Sequence, residues 1–303
     1  MVAASPLGSN YCTRIQRFKS VYIRAMTNPV PSLTLNNGVP IPQLGFGVFL
    51  IPPDETATAV ATALEVGYRL IDTAQGYRNE QGVGEAIARS NVPRDEIFVT
   101  TKLVNGQHGY DRALAAFDES MQRLGIDVLD LFLIHWPLPM FDRYVETWRA
   151  LEQLMADGRV RSIGVSNFEV EHLERLDNET DITPALNQVE LHPEFPQEEL
   201  RAYHESHGIV TEAWGPLGQN KGLLDDARVV DVAEKKGRTP AQVVLRWHIQ
   251  LGNVVIPKSV TPHRIQENIG VFDFELDDED METFAELNVG RRMGPHPNQF
   301  DLI

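Results

Sequence analysis

The sequence predicts an α/β chain closed into a (β/α)8 TIM barrel, with an N-terminal β-hairpin before it and an irregular C-terminal tail after it. Three observations carry that prediction. Short apolar strands alternate with amphipathic helices, unit after unit, and such alternation gives a parallel sheet with right-handed crossovers. Eight such units between residues 33 and 290 fit a closed barrel better than an open sheet. The rival, a doubly wound dinucleotide-binding sheet, needs a GxGxxG fingerprint after its first strand. Gly45-Phe46-Gly47-Val48-Phe49-Leu50 has two of the three glycines, and no acidic residue downstream is placed to hold a ribose.

The elements follow in order. Ser32 to Leu35 and Val39 to Ile41 flank Asn36-Asn37-Gly38, apolar residues around an Asn-Gly turn, and so read as a hairpin. Leu44 to Gly47 leads to a helix from Asp54, and Arg69 to Asp72 to a helix from Asn79. Ile97 to Lys102 leads to Tyr110–Leu124, where Leu114, Phe117, Met121 and Leu124 mark one face. Leu129 to His135 leads to Tyr144–Ala156, and Arg161 to Val165 to Val170–Leu176. Ala185 to Val189 leads to Glu198–His207. Ile209 to Ala213 leads to Val229–Lys236, with a further helix after Pro240, and Val254 to Ile256 to a helix after Pro262. Gly67, Gly125, Gly158, Gly208 and Gly237 stand where helices would need C-caps. No linker-like composition shift interrupts residues 33–290, so residues 31–303 read as one barrel domain. The tail from Val289 is rich in Pro, Gly and Asn and is expected to cover part of the barrel.

Composition narrows the function. With 42% hydrophobic and 23% charged residues, the 303-residue chain is ordinary globular material. A net charge of -16 argues against a general nucleic-acid binder, though local basic residues can still hold a phosphate. No apolar run approaches the ~18 residues that a membrane span needs. Cys12 is the single cysteine, so no intramolecular disulfide can form and a reducing cytoplasm is the simplest setting. No metal is expected: there is no Cys/His cluster with zinc spacing, and His204 and His207 read as solvated helix histidines. Before Asp54 the chain has no acidic residue, while Arg14, Arg17, Lys19 and Arg24 are basic. That stretch reads either as a transit peptide or, preferred here, as a disordered or mis-assigned leader with Met26 as the start. Residues 1–30 are left out of the fold.

Chemistry is built where barrel strands end. Asp72 closes one apolar run, Lys102 the next and His135 the next, and Tyr77 follows Asp72 by five positions in a Gly-containing loop. A Tyr ordinarily titrates at about 10 and becomes a usable acid beside a cation. Lys102 could supply that cation, Asp72 could hold it charged, and His135 could hydrogen-bond a carbonyl oxygen. This set suits proton delivery to a carbonyl. No side chain can donate hydride, so reduction requires a nicotinamide. Singly, each residue has a plainer reading: Asp72 as a cap, Lys102 as a loop lysine, His135 bonded to a backbone carbonyl, Tyr77 as packing. Their joint placement at neighbouring strand ends argues for the site.

The wording of several segments goes further. Leu70-Ile71-Asp72-Thr73-Ala74-Gln75-Gly76-Tyr77-Arg78-Asn79-Glu80 resembles the aldo-keto reductase signature, as do Ile163-Gly164-Val165-Ser166-Asn167-Phe168 and Ile256-Pro257-Lys258-Ser259. Asn105 to His108, Glu212 to Gly218 and Val271 to Phe274 resemble the bacterial 2,5-diketo-D-gluconic acid reductase group within it. The resemblance runs from about residue 32 to the end of the chain.

It implies NADPH-dependent reduction of aldehydes and ketones, with Tyr77 as general acid, Lys102 and Asp72 tuning it, and His135 orienting the carbonyl. Ser166, Asn167 and Gln188 would hydrogen-bond the nicotinamide carboxamide. Trp214 would stack on its ring, where many members have Tyr. Gly215 to Gly218, Leu217 included, would lie across the pyrophosphate. Lys258, Ser259 and Arg264 would take the 2′-phosphate, and Glu267 and Asn268 the adenine. Lys as a point charge, Arg as a planar fork and Ser as a hydroxyl suit a phosphate. Related reductases often carry a further Arg at the position of Thr261; its absence leaves the preference for NADPH in place and the margin over NADH open. Phe49, His108 and Trp136 would line the substrate mouth, with Pro295, His296 and Pro297 of the tail. The resemblance implies a small carbonyl substrate, methylglyoxal or a keto-sugar among them, and a monomer. One alternative keeps the fold and the cofactor but not the turnover: a cofactor-sensing regulatory subunit. Another, an isomerase or aldolase with Lys102 as Schiff-base nucleophile, needs a lysine without a carboxylate partner, and Asp72 argues against it.

Overall fold

An Asn36-Asn37-Gly38 turn joins the first two strands in the computed structural model of the protein, which describes residues 30–302. β1 (Ser32–Thr34) and β2 (Pro40–Pro42) pair antiparallel with Leu33 opposite Ile41. The expectation for the leader falls on residues 1–29, which lie outside the described residues.

Eight parallel strands follow, each hydrogen-bonded to its neighbour in chain order. They are β3 (Phe46–Gly47), β4 (Leu70–Asp72), β5 (Phe98–Leu103), β6 (Leu129–Ile134), β7 (Val160–Ser166), β8 (Leu186–Glu190), β9 (Val210–Trp214) and β10 (Val254–Val255). The ends of the sheet meet: Leu44 bridges Val255 in parallel, Gly45 N–H donates to Val255 O, and Gly47 N–H donates to Pro257 O. The strands therefore close into a barrel, as the alternation predicts. Gly45 and Gly47 owe their place to this closure. A Cβ on Gly45 would fall 2.5 Å from the Leu70 side chain, and one on Gly47 3.0 Å from Ile256 O. The truncated glycine fingerprint thus serves strand packing.

The connecting helices are α1 (Pro53–Val66), α2 (Glu80–Arg89), α3 (Tyr110–Leu124), α4 (Tyr144–Ala156), α5 (Val170–Glu179), α6 (Glu198–Ser206), α7 (Ala227–Lys236), α8 (Pro240–Gln250) and α9 (Pro262–Ile269). In α3 the buried face runs through Ala113, Phe117, Ser120 and Leu124, while Leu114 and Met121 sit at its edge. Gly67, Gly125 and Gly237 are left-handed C-caps, and Gly158 and Gly208 take the same conformation one residue past the cap. One helix was not expected: α10 (Asp278–Ala285). Its Asp277–Asp280 capping box is held by Lys235 and Lys236 of α7. Those cations balance the acidic first turn of a helix that the sequence reading did not assign.

His204 corrects another expectation. It is fully buried, with Nδ1 2.9 Å from Thr211 Oγ1 and Nε2 accepting from Asn187 Nδ2 at 3.0 Å. Leu200 and His204, one turn apart, form the inward face of α6, so the histidine is a core residue. His207 is exposed and stacks on Tyr203.

Strand side chains alternate between two packing layers. Ile71, Val99, Phe132, Ile134, Val165 and Val189 face the helices. Leu70, Phe98, Leu131, Leu133, Leu186 and Val254 face the barrel interior, together with Leu35 and Ile41 of the hairpin. The hairpin therefore plugs the end at which strands begin, and Asn37 Nδ2 ties it to Arg161 O at 3.0 Å. Continuing the interior row in steps of two gives Asp72 after Leu70, Lys102 after Phe98 and Thr100, His135 after Leu133, Gln188 after Leu186 and Glu212 after Val210. The lower barrel interior is apolar, and the upper barrel is polar.

Candidate active site

The polar end of the barrel holds one continuous network. Lys102 Nζ donates to Asp72 Oδ1 at 2.7 Å, to Asp72 Oδ2 at 2.9 Å and to Thr73 O at 2.9 Å. Tyr77 Oη lies 3.5 Å from the same nitrogen, carried by a 3-10 turn at Gln75–Tyr77 just after β4. Lys102 and Asp72 are 0% and 2% exposed at their side chains. Two charges so buried are tolerable only as a pair with further hydrogen bonds, which Thr73 O and Gln188 supply.

Protonation follows from the packing. Burial by itself would lower the pKa of Lys102, but the Asp72 carboxylate, through its charge and its hydrogen bond, outweighs burial, with Tyr77 and Glu212 adding to the rise when they ionise. Burial also raises Tyr77, with Lys102 pulling the other way and Asp72 and Glu212 adding to the rise. Tyr77 is thus a protonated phenol beside a cation. Burial, then Lys102 and His108, push His135 down to about 3, and burial and Arg143 push His108 down to about 4. Both rings are neutral near pH 7. The His135 ring stands edge-on to Tyr77, centroids 5.7 Å apart, and Asn167 Nδ2 donates to its backbone carbonyl at 2.9 Å. Together these groups present a phenol O–H and a neutral imidazole at one opening.

Beside them lies the cluster expected at a nicotinamide. Ser166 Oγ donates to Gln188 O at 2.8 Å, and Asn167 Nδ2 donates to Ser166 Oγ at 3.0 Å. Asn167 has φ 63°, a left-handed conformation that Asn tolerates better than most residues and that turns the chain out of β7. The Trp214 indole N–H donates to Asn167 Oδ1 at 2.8 Å. Gly215 and Gly218 follow, with Leu217 packed against the core. A second group sits beyond β10. Lys258 and Arg264 are exposed and enter no ion pair among the described residues. Ser259 Oγ accepts from Thr261 N–H at 3.1 Å, Glu267 accepts from Thr239 Oγ1 at 2.8 Å, and Asn268 is buried in α9. The structure places this basic turn at the N-terminus of α9, where helix dipole and backbone N–H groups also favour an anion.

The residues expected at the mouth also cluster. Phe49 is 54% exposed with its ring 4.9 Å from that of Tyr77. His108 is buried with both ring nitrogens unpartnered among the described residues. Trp136 packs on Phe300 of the tail at 4.3 Å between centroids.

Two features escaped the sequence. One is Glu212, fully buried beside Gln188; its signal was a carboxylate at an inward strand position. The other is the anchoring of the tail. Glu190, at the end of β8, accepts from Met293 N–H and, at 2.8 Å, from Gly294 N–H. A Cβ on Gly294 would fall 2.7 Å from the Trp214 ring, so the tail lies directly against the indole. Arg291 pairs with Glu194, Arg292 with Glu169, and Asn105 Nδ2 donates to Leu302 O. The tail therefore crosses the mouth from β8 to the loop after β5. Pro297 follows that path, but no sequence signal announced the carboxylates that hold it.

The chain is similar to known proteins in sequence and in fold. The model of the aldo/keto reductase family matches residues 43–289. An aldo-keto reductase of Mycolicibacterium smegmatis is 58% identical over 272 residues, covering 90% of this chain and 98% of the relative. The methylglyoxal reductase DkgA of Escherichia coli is 49% identical over 276 residues, covering 91% and 99%. A solved structure of a Gox0644 variant in complex with NADPH superposes with a TM-score of 0.87 at 50% identity, covering 90% of this chain and 99% of that one.

Proposed function

The chain belongs to the aldo/keto reductase family, and from that premise we propose that it reduces small aldehydes and ketones with NADPH, Tyr77 acting as the proton donor. The observation that carries the reading is the Tyr77–Lys102–Asp72 chain of contacts opening beside a neutral His135. The cofactor fits the residues present: Trp214 offers an indole whose edge is fixed by Asn167, and Lys258 and Arg264 offer two cations at a helix N-terminus. The NADPH-bound relative supports this choice, and the methylglyoxal reductase supports a small reactive carbonyl as substrate.

When bound, NADPH supplies the hydride that reduces the carbonyl carbon. Tyr77 gives its phenolic proton to the carbonyl oxygen as charge develops there. The ammonium of Lys102 stabilises the phenolate left behind, and Asp72 keeps that ammonium charged and in place. A neutral His135 aims a ring N–H at the same oxygen and so selects the orientation in which carbonyl carbon faces Trp214. Ser166, Asn167 and Gln188 hold the carboxamide, while Gly215 and Leu217 lie over the pyrophosphate. Lys258, Ser259 and Arg264 take the 2′-phosphate, and Glu267 and Asn268 the adenine. Phe49, Trp136 and His108 wall the substrate. We place the reaction in the cytoplasm, carried out by a monomer.

The test follows NADPH oxidation by absorbance with methylglyoxal, aromatic aldehydes, diketones and keto-sugars, beside Tyr77→Phe. The variant should lose about 100-fold or more in kcat while still binding NADPH. A kcat like that of the parent removes Tyr77 from the role. Tight NADPH binding with no turnover on any carbonyl shifts the reading to a cofactor-sensing subunit.

A further inference from the structure

Glu212 is a buried carboxyl at the polar end of the barrel that this chemistry leaves unused. It sits on β9, in register with Gln188 on β8 and Val254 on β10, and its side chain faces the interior. The Gln188 amide nitrogen carries two hydrogens. It lies 2.8 Å from Asp72 Oδ2 and 2.8 Å from Glu212 Oε2. Both neighbours are carboxyl oxygens, so only the nitrogen of the amide fits between them. Gln188 is a bridge, and Glu212 its far end. Glu212 Oε1 has no hydrogen-bond partner among the described residues.

We propose that Glu212 is a positioning residue of the reduction site, a neutral carboxylic acid that acts through Gln188 on the Asp72–Lys102 pair and so sets the acidity of Tyr77. This inference rests on the reading of Tyr77 given above. The charged and titratable groups facing Glu212 are Asp72 at the end of β4, Lys102 on β5 and Tyr77 on the turn after β4. Among them stands a single cation, already engaged by Asp72 at 2.7 Å. One ammonium cannot balance two buried carboxylates, so the second keeps its proton. Burial first, then the charge of Asp72, raise Glu212 to about 8.

Two consequences follow. Gln188 is held with its nitrogen inward, leaving its oxygen free to accept from a carboxamide N–H. And when Glu212 does ionise, the added negative charge holds the Tyr77 proton more tightly, making the phenol a weaker acid. Reduction should then decline on the alkaline side before Tyr77 itself deprotonates.

The experiment measures kcat/KM for methylglyoxal at saturating NADPH from about pH 6 to about pH 10. It compares the parent protein, Glu212→Gln, Glu212→Asp and Tyr77→Phe. The parent should bend downward near pH 8, and Glu212→Gln should lack that bend. Glu212→Asp keeps a titrating group, retracted by one methylene, and should bend at a different pH. It decides the matter if Glu212→Gln does not fold. Thermal midpoints supply a readout without turnover: the parent should lose stability relative to Glu212→Gln as pH rises from about 5 to about 8. A flat parent profile, a bend unmoved by either substitution, or parallel stability curves overturn the inference. Turnover in Tyr77→Phe overturns the underlying reading instead. An inactive Tyr77→Phe together with unmoved bends overturns only the role of Glu212.

Discussion

The indole N–H of Trp214 donates to Asn167 Oδ1 at 2.8 Å, tying the end of β9 to the turn after β7. That bond fixes the plane of a large aromatic ring at the site opening. A ring free to swing would cost binding entropy each time a flat ligand stacked on it. Trp214→Ala should therefore raise the Kd for NADPH about tenfold, about 1.4 kcal/mol, in a fluorescence titration. Trp214→Tyr keeps an aromatic face and should lose less. An unchanged Kd in Trp214→Ala would place the nicotinamide elsewhere.

Lys102 and Asp72 should behave as a unit. Lys102→Met leaves a carboxylate buried without its cation, and such a loss costs about 3–5 kcal/mol of stability. The double variant Lys102→Met/Asp72→Asn should recover most of that loss in urea denaturation while remaining inactive. Additive losses in the double variant would mean that the two residues do not share their energy.

Cofactor preference should reside at the turn after β10. Lys258→Met and Arg264→Met each remove a cation that enters no ion pair among the described residues, so little stability should be lost. If they hold a 2′-phosphate, each charge-assisted contact is worth about 1.5–3 kcal/mol. KM for NADPH should then rise tenfold or more while KM for NADH moves less than about twofold. Equal effects on the two cofactors would remove this turn from the phosphate site.

Acid should weaken the fold without first weakening the chemistry. Burial pushes His108 to about 4 and His135, His204 and His248 to about 3. In the unfolded chain each binds a proton at about 6.5. Below that pH the unfolded state holds more protons than the native one, so stability falls as pH falls from about 6.5 toward 4. Thermal midpoints should drop across this window. Because His135 stays neutral throughout, kcat/KM should show no acid limb near 6.5, and such a limb would contradict a neutral His135.

Glu190 should govern how the tail sits on the mouth. Glu190→Gln replaces a carboxylate acceptor of two tail N–H groups by a single amide oxygen. The weakened latch should make residues 291–302 faster to cleave in limited proteolysis while the barrel resists. Unchanged cleavage would show that Arg292–Glu169, Arg291–Glu194, Trp136–Phe300 and the other tail contacts hold it without Glu190.

The barrel was legible because its signal is local. Each strand and helix writes its period into the few residues that form it, and α3 and α4 begin and end where the pattern predicts. The four residues Asp72, Tyr77, Lys102 and His135 were legible for the same reason: strand ends are local events, and parallel strands carry their ends to one mouth. What the sequence alone could not decide were relations between distant segments. The fate of His204 depended on the inward face of α6 meeting Asn187 and Thr211. The helix at Asp278–Ala285 depended on two lysines forty residues earlier neutralising its first turn. Glu212 became a carboxylic acid only because closure of the barrel set it against Gln188 and Asp72, across a single cation. Periodicity is fixed by the geometry of neighbouring bonds. Protonation and burial are fixed by which groups the closed barrel brings within a few ångströms.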